Sequence, residues 1–182
     1  MKGVKLYQLP YPVIYVCNHV SIFDLFICGA KLPHYPRGLE LSEHFNYPVY
    51  GWFIRRFDMI PVNIKSARSI RKSLNFAAEI LKKKIRSILI MPEGMRTRTG
   101  EILDFKNGAF YLARISGCPV VPVINRGLHE INNPNSYIIK PGRFDMVILP
   151  PVYAKDFNND NEMMNHVRQI MINELHKKHG KQ

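Results

Sequence analysis

A histidine followed five residues later by an aspartate could do acid–base chemistry in this 182-residue sequence. Segment 18–24 reads Asn-His-Val-Ser-Ile-Phe-Asp and follows a short apolar run. If a helix starts near Ser21, His19 stands just before it and Asp24 lies in its first turn. A nearby carboxylate fixes the tautomer of an imidazole and stabilises the imidazolium, so the pair suits a general base. Alternatively, Asp24 only complements the helix dipole.

Segment 91–98, which reads Met-Pro-Glu-Gly-Met-Arg-Thr-Arg, is a second candidate site. Pro92 stops a strand, Gly94 permits a tight turn, and two arginines follow at alternate positions. Backbone N–H groups and guanidinium forks together make a cradle for phosphate. The alternative is a charged surface turn in which Glu93 pairs with one of the arginines.

The stretch 44–57 contains six aromatic residues beside Arg55 and Arg56. Such mixtures favour the membrane–water interface, and they would also suit stacking on nucleobases. A core-facing turn with a basic rim is the third possibility.

The cysteines favour a structural role over a reactive one. Cys17, Cys28 and Cys118 are far apart and form no CxxC pair, which indicates reduced thiols and neither a zinc site nor a disulfide framework. A competing hypothesis makes Cys17, two residues from His19, the nucleophile of an acyl-enzyme. Its place at the end of an apolar strand favours burial in the core instead.

Strand and helix patterns alternate along the chain. Apolar runs predict strands at 13–17, 60–64, 87–91 and 120–124, and a hairpin from 137–140 and 144–149 around Pro141-Gly142. Helices are predicted at 21–30, 66–84 and 105–115, with a C-terminal amphipathic helix carrying Met164, Val167, Met171 and Leu175. Pro122 suggests that its strand is an edge strand or irregular. The alternation predicts a layered α/β sheet with flanking helices, in which sites gather where strands end.

Charge is the unusual feature of the composition. With 46% hydrophobic and 22% charged residues the chain is expected to fold, but 26 Lys and Arg against 14 Asp and Glu leave a net charge of +12. Such a surplus predicts an anionic partner. No apolar run approaches the ~20 residues of a spanning helix, and Pro10 and Pro12 interrupt the only N-terminal apolar stretch, so a cytosolic or membrane-peripheral chain is expected.

Taken together, these residues resemble the glycerolipid acyltransferase family, typified by 1-acyl-glycerol-3-phosphate acyltransferases. His19 and Asp24 match its Asn-His-x4-Asp motif, and Pro92-Glu93-Gly94 with Arg96 matches its Pro-Glu-Gly-Thr-Arg motif. The remaining likenesses, within a similarity that spans about residues 10–125, are Gly-Trp-Phe-Ile-Arg at 51–55, Ile-Pro-Val at 60–62, Phe-Lys-Asn-Gly at 105–108 and Val-Pro-Val-Ile at 121–124.

The resemblance implies one glycerol-3-phosphate acyltransferase-like domain over 1–182. It implies transfer of a fatty acyl group from acyl-CoA or an acidic acyl-carrier protein to a lysophospholipid, with 1-acyl-glycerol-3-phosphate giving phosphatidic acid. His19 would be the base and Asp24 its orienter. The acceptor would be bound by Glu93, Gly94, Arg96 and Lys106. Neither metal, cofactor nor covalent acyl-enzyme is expected, and the enzyme would work peripherally on the anionic, cytoplasmic face of a membrane, without nucleic acid.

The sequence departs from the family pattern where a phosphate-binding arginine is usual. It has Val-Asn-Ile at 62–64 in place of Val-Asp-Arg, so Lys65 or Arg68 is expected to substitute, and Met95 stands where threonine is usual. The family's N-terminal membrane segment is missing, which suggests a truncated or peripheral form. Another acceptor, such as a lyso-ornithine lipid, therefore stays open, as does a non-catalytic basic module that binds nucleic acid or anionic membrane.

Overall fold

Strands and helices alternate along residues 2–3, 9–136 and 138–177, which the computed structural model describes. The strands are β1 (Lys2–Gly3), β2 (Ile14–Cys17), β3 (Arg37–Leu41), β4 (Ile60–Val62), β5 (Ile88–Ile90), β6 (Val120–Arg126) and β7 (Asp145–Ile148). The helices are α1 (Asp24–Lys31), α2 (Pro48–Arg56), α3 (Ala67–Lys82), α4 (Gly108–Ser116), α5 (Leu128–Ile131) and α6 (Asp160–Leu175). Short 3-10 helices lie at Ser42–Asn46 and Ala154–Asp156. The predicted layered α/β fold is confirmed.

The strands form one sheet in the order β1-β7-β6-β2-β5-β3-β4. β6, β2, β5, β3 and β4 run parallel to one another, whereas β7 pairs antiparallel with β6. Parallel strands place their carboxyl ends at the same edge of the sheet. The segments that follow β2, β5 and β6 are therefore neighbours in space, although they are far apart in sequence.

Helices cover both faces of the sheet. Ile14 and Val16 of β2 belong to the core that packs against α3, α4 and α6. Tyr15 and Cys17 of the same strand point to the opposite face, in a second core that includes α1 residue Cys28. Because both faces are buried, the strands read as continuous apolar runs, which is why the sequence pattern revealed them.

Two helices begin later than the sequence predicts, because backbone N–H groups before them donate to a side chain or to another loop instead of forming a helical turn. α3 begins as predicted, with the Ser66 hydroxyl accepting from the Ser69 N–H as its N-cap. α1 begins at Asp24 and not at Ser21, because residues 21–23 form a turn whose Phe23 N–H donates to the Ser21 hydroxyl. α4 begins at 108 and not at 105, since the backbone of the preceding segment pairs with the loop after β5.

Two predictions around β6 need correction. Pro122 lies in an interior strand, not at an edge, and the expected irregularity lies on its β7 side. There the regular pairing with β7 begins only at Val123, and the Pro122 carbonyl accepts from the Leu149 N–H. The hairpin prediction is wrong, because β7 pairs with β6 and residues 138–140 form no strand. Tyr137, the first residue of that prediction, lies outside the described residues.

Candidate active site

The residues singled out from the sequence meet at the carboxyl edge of the sheet. β2 lies between β5 and β6, so the loop 18–24 after β2 is flanked by the loop 91–96 on one side and by the end of β6 on the other. Crevices at this edge are the usual place for ligands in open α/β sheets.

His19 and Asp24 form a hydrogen-bonded pair in the loop after β2. His19 Nδ1 lies 2.9 Å from Asp24 Oδ2, and the carboxylate is fully buried while the imidazole side chain is 25% exposed. The same Oδ2 accepts the backbone N–H groups of Val20 and Ser21, at 2.7 and 2.8 Å. A buried carboxylate with these donors holds Nδ1 protonated, which leaves the lone pair on Nε2. Within the described part of the chain, Nε2 has no hydrogen-bond partner.

Glu93 braces the loop that carries His19. Its Oε1 accepts the His19 N–H and its Oε2 accepts the Leu103 N–H, each at 2.8 Å. Burial raises the pKa of Glu93, and the two backbone donors oppose that rise. Only 4% of the residue is exposed. Both carboxylate oxygens of Glu93 thus accept hydrogen bonds from the protein backbone. The family resemblance had predicted that this residue contacts the acceptor.

Gly94, Lys106 and Arg96 make a cationic turn beside the histidine. Gly94 has a φ of +72°, and a Cβ on it would lie 2.6 Å from Lys106 Nζ, so the ammonium rests directly on the glycine backbone. Arg96 is half-buried and precedes Thr97, whose N–H donates to the His19 carbonyl at 2.8 Å. Neither Arg96 nor Lys106 makes a side-chain hydrogen bond or ion pair to the residues that the structure describes. Lys106 thus lies on the glycine turn, while Arg96 is near enough to Tyr50 to oppose the rise of that hydroxyl's pKa.

Lys65 and Arg68 lie further along the same edge. They follow β4, which is separated from β5 by β3. Lys65 Nζ pairs with Glu43 Oε1 at 3.0 Å, and this contact lowers the pKa of Glu43. Arg68 is exposed in the first turn of α3. The structure does not bring these two cations into direct contact with the His19 loop.

Cys17 is not placed to act as a nucleophile. It is fully buried, and its pKa is raised by its hydrogen bond with Cys28 and by burial. A thiol with a raised pKa and no access is a poor nucleophile. The interpretation of Cys17 as a core residue therefore fits the structure.

Two asparagines belong to the site although the sequence did not single them out. Asn125 Nδ2 donates to Asp24 Oδ1 at 3.0 Å, and the Asn18 side chain bonds to the Asn125 backbone. Asn18 carried a signal as the first residue of the Asn-His-x4-Asp motif. Asn125 carried none, because only the pairing of β2 with β6 places it beside Asp24.

Two features relevant to cofactors and membranes can be stated for the described residues. They contain no group of three or more His, Cys, Asp and Glu side chains arranged to hold a metal ion. Their helices are all too short or too polar to span a bilayer.

A histidine held by a buried carboxylate at the end of a parallel strand, in a loop beside Arg96, is an arrangement suited to general-base chemistry. Residues 4–126 match the family model described as Acyltransferase. The chain belongs to that acyltransferase family, and the predicted resemblance is confirmed.

The chain is similar to named relatives by sequence and to one solved structure by fold. The chain is 28% identical over 166 residues to a 1-acyl-sn-glycerol-3-phosphate acyltransferase of Cocos nucifera, covering 91% of this chain and 53% of the relative. It is 29% identical over 171 residues to that of Saccharomyces cerevisiae, covering 90% and 55%. The chain thus spans about half the length of these relatives. The crystal structure of the 1-acyl-sn-glycerophosphate acyltransferase of Thermotoga maritima superposes with a TM-score of 0.79 at 26% identity, covering 98% of this chain and 73% of that one.

Proposed function

We propose that residues 1–182 form one acyltransferase domain that moves a fatty acyl group from a thioester to the hydroxyl of a lysophospholipid. The acceptor is 1-acyl-glycerol-3-phosphate, the product is phosphatidic acid, and the donor is acyl-CoA or acyl-carrier protein. The observation that supports this most is the His19–Asp24 pair, in which the carboxylate is buried and the imidazole is 25% exposed. The activity in the names of the relatives agrees with it.

The geometry gives each proposed residue a step. His19 Nε2 takes the proton of the acceptor hydroxyl as its oxygen attacks the thioester carbonyl. The tetrahedral intermediate collapses, the carbon–sulfur bond breaks, and the imidazolium returns the proton to the departing thiolate. Asp24 stabilises the transient positive charge on His19. Base catalysis of this kind contributes about 10²–10⁴-fold, and the rest comes from positioning the two substrates.

The headgroup phosphate is assigned to the cationic turn. Arg96 supplies a guanidinium fork that matches a phosphate, and Lys106 supplies a second positive charge above Gly94. Glu93 is assigned a positioning role through the His19 backbone, because its oxygens are already used. Lys65 and Arg68 are left as secondary cations for the phosphates of the donor.

A donor-by-acceptor activity matrix on the purified protein tests the function. Acyl-CoA and acyl-carrier protein are each offered with lysophosphatidate, a lyso-ornithine lipid and a neutral lysolipid. We expect lysophosphatidate acylation that falls at least 100-fold in His19→Ala, with His166→Ala, an exposed histidine on α6, as the matched control. If His19→Ala keeps wild-type turnover, the mechanism is wrong. Tight, strongly salt-dependent binding of DNA or RNA without acyl transfer would favour the basic-module hypothesis instead.

We also propose peripheral attachment to the cytoplasmic face of an anionic membrane. An exposed apolar surface, here called the aromatic patch, supports this: its members on α2 are Val49 and Trp52, which are 82% and 66% exposed. Phe57 and Phe26 extend it from either side of Phe53, with ring centroids 4.3 and 4.9 Å from that ring. Exposed apolar residues rimmed by arginines fit a lipid interface.

The position of the aromatic patch connects it to the site. Phe26 lies on α1, the helix that begins at Asp24, and Ile22 is half exposed in the loop between His19 and Asp24. A lysolipid held by its acyl chain in the bilayer could therefore present its hydroxyl directly to His19. We expect Trp52→Ala/Phe53→Ala/Arg55→Ala to weaken co-sedimentation with vesicles that contain phosphatidic acid, and Phe76→Ala, an exposed phenylalanine on α3, to leave it unchanged. If the triple variant and Phe76→Ala co-sediment with the vesicles equally well, the aromatic patch is not the membrane-binding surface.

A further inference from the structure

Asn125 approaches the catalytic carboxylate from the strand opposite Glu93. Its Nδ2 donates to Asp24 Oδ1 at 3.0 Å, and 1% of the residue is exposed. Asp24 Oδ2 is occupied by the His19 ring and two backbone N–H groups. In the described structure Asn125 is therefore the donor that satisfies the other oxygen of this buried carboxylate.

The Asn125 backbone is held by the residue that precedes the catalytic histidine. The Asn125 N–H donates to Asn18 Oδ1 at 2.8 Å, and Asn18 Nδ2 donates to the Asn125 carbonyl at 3.2 Å. The regular β2–β6 pairing ends at Cys17 and Val123, so the Asn18 side chain prolongs it by imitating one more residue of strand. This fixes the distance between the end of β6 and the His19 loop.

The orientation of the Asn125 amide is set by Asp24. Its Nδ2 faces the Asp24 carboxylate and lies 3.5 and 4.0 Å from the Cys17 and Cys28 sulfurs. Its Oδ1 is buried and has no hydrogen-bond partner among the described residues. An acceptor buried without a partner lowers stability. Stability alone therefore does not explain an amide at this position. The hydrogen bond from its Nδ2 to Asp24 does.

We propose that Asn125 is a positioning residue for the acyl-transfer reaction. It holds the Asp24 carboxylate in a single rotamer, so that Oδ2 stays on His19 Nδ1 and Nε2 remains the basic nitrogen. Without the donor, Oδ1 would be a buried oxygen with no partner, and the carboxylate would rotate away from the ring. That rotation removes support from the imidazolium. The inference rests on the proposed function.

Two substitutions separate this role from a packing role. Asn125→Ala removes the donor, and we expect kcat to fall about 10- to 100-fold, the effect of losing one hydrogen bond to a charged group, with KM for both substrates within threefold. Asn125→Asp keeps the size and restores a donor only while its carboxyl is protonated. Two carboxyl groups in contact repel each other when both are ionised, so the pair keeps one shared proton until the pH is high enough to remove it.

The pH profile of kcat for Asn125→Asp is the deciding measurement. We expect it to exceed Asn125→Ala at low pH and to fall to that level as pH rises, which adds an alkaline decline that the wild type lacks. Asn132→Ala is the control: that buried amide accepts from the Ser21 hydroxyl at 2.9 Å in the same loop without touching Asp24, and the wild-type profile shape should persist. If Asn125→Ala does not fold, the Asn125→Asp profile decides alone.

The proposal is overturned if Asn125→Ala keeps kcat within threefold of the wild type, or if Asn125→Asp shows no recovery at low pH. Loss of the proposed function looks different. In that case wild-type protein fails to acylate any lysolipid, or His19→Ala retains full turnover. A wild type that depends on His19 but ignores Asn125 would refute this inference alone.

Discussion

Replacing Glu93 with glutamine distinguishes a brace for the catalytic loop from a contact with the acceptor. The carboxylate accepts two backbone N–H groups, those of His19 and Leu103. Glutamine can accept one of them, but its NH₂ then faces the other donor. One charge-assisted hydrogen bond is lost and one buried N–H is left without a partner.

The expected destabilisation follows from that count. Losing one hydrogen bond to the ionised carboxylate and leaving its donor buried costs about 2–4 kcal/mol, which lowers Tm by roughly 5–15 °C in a chain of this size. The sign of the pH dependence follows from burial, which raises the pKa of Glu93 above the ordinary 4.5. The stabilisation from the protonated form is fully present below 4.5 and is lost as pH rises through the folded-state pKa. The Tm difference between wild type and Glu93→Gln should therefore shrink above pH 4.5.

Thermal melts from pH 4 to 8, together with steady-state kinetics, check the prediction. We expect Glu93→Gln to lower kcat, because the His19 backbone moves, while KM for lysophosphatidate stays within threefold. Glu79→Gln, on the exposed face of α3, is the control for loss of a charge. An unchanged Tm with a KM raised tenfold or more would refute the bracing role and return Glu93 to the acceptor site.

Three further predictions concern the cationic turn and the fold. Gly94→Ala should raise KM for lysophosphatidate about tenfold, because the methyl group would displace the Lys106 ammonium. It should also lower the free energy of unfolding by about 1–2 kcal/mol, because alanine is strained at a φ of +72°. A KM and a Tm equal to those of the wild type would contradict this prediction. Removing both cations in Arg96→Ala/Lys106→Ala should raise that KM at least 100-fold, while KM for a neutral lysolipid changes little; an equal effect on both acceptors would contradict a phosphate contact. Ser66→Ala should lower the free energy of unfolding by about 1 kcal/mol and Tm by about 2–4 °C, because α3 loses its N-cap. Its kinetics should match the wild type, and altered kinetics would indicate that α3 touches a substrate.

The sequence revealed the parts of the fold that depend on local signals. α3 was predictable within two residues because a stripe of apolar residues follows an N-capping serine. The hairpin predicted after residue 137 is wrong because Pro141-Gly142 only resembles a hairpin turn. The observed partner of β7 is β6, which lies about twenty residues earlier in the chain. Pairing between distant strands leaves little trace in any local window. For the same reason a proline inside β6 suggested an edge, although the irregular pairing that accommodates it lies in the interior of the sheet.

In the candidate site, too, only the residues that interact within one local segment were predictable from the sequence. His19 and Asp24 are predictable because five residues of one loop bring them together and the hydrogen bond forms within that loop. Their supports are not predictable, since Glu93 and Asn125 reach them from two other strands. The family resemblance assigned Glu93 to the acceptor, and no local pattern indicated that its two oxygens accept the backbone N–H groups of His19 and Leu103.

Register between strands is therefore what sets the geometry of the His19–Asp24 pair. β2 is paired on one side with β5 and on the other with β6, and each neighbour sends one side chain across to the loop after β2. Glu93 fixes the backbone of His19, while Asn125 fixes the carboxylate of Asp24. A slip of one residue in either pairing would move one support by about 3.3 Å and leave a buried charge without its partner. The pairing of β2 with both of its neighbours is thus as much a part of the candidate site as the histidine it positions.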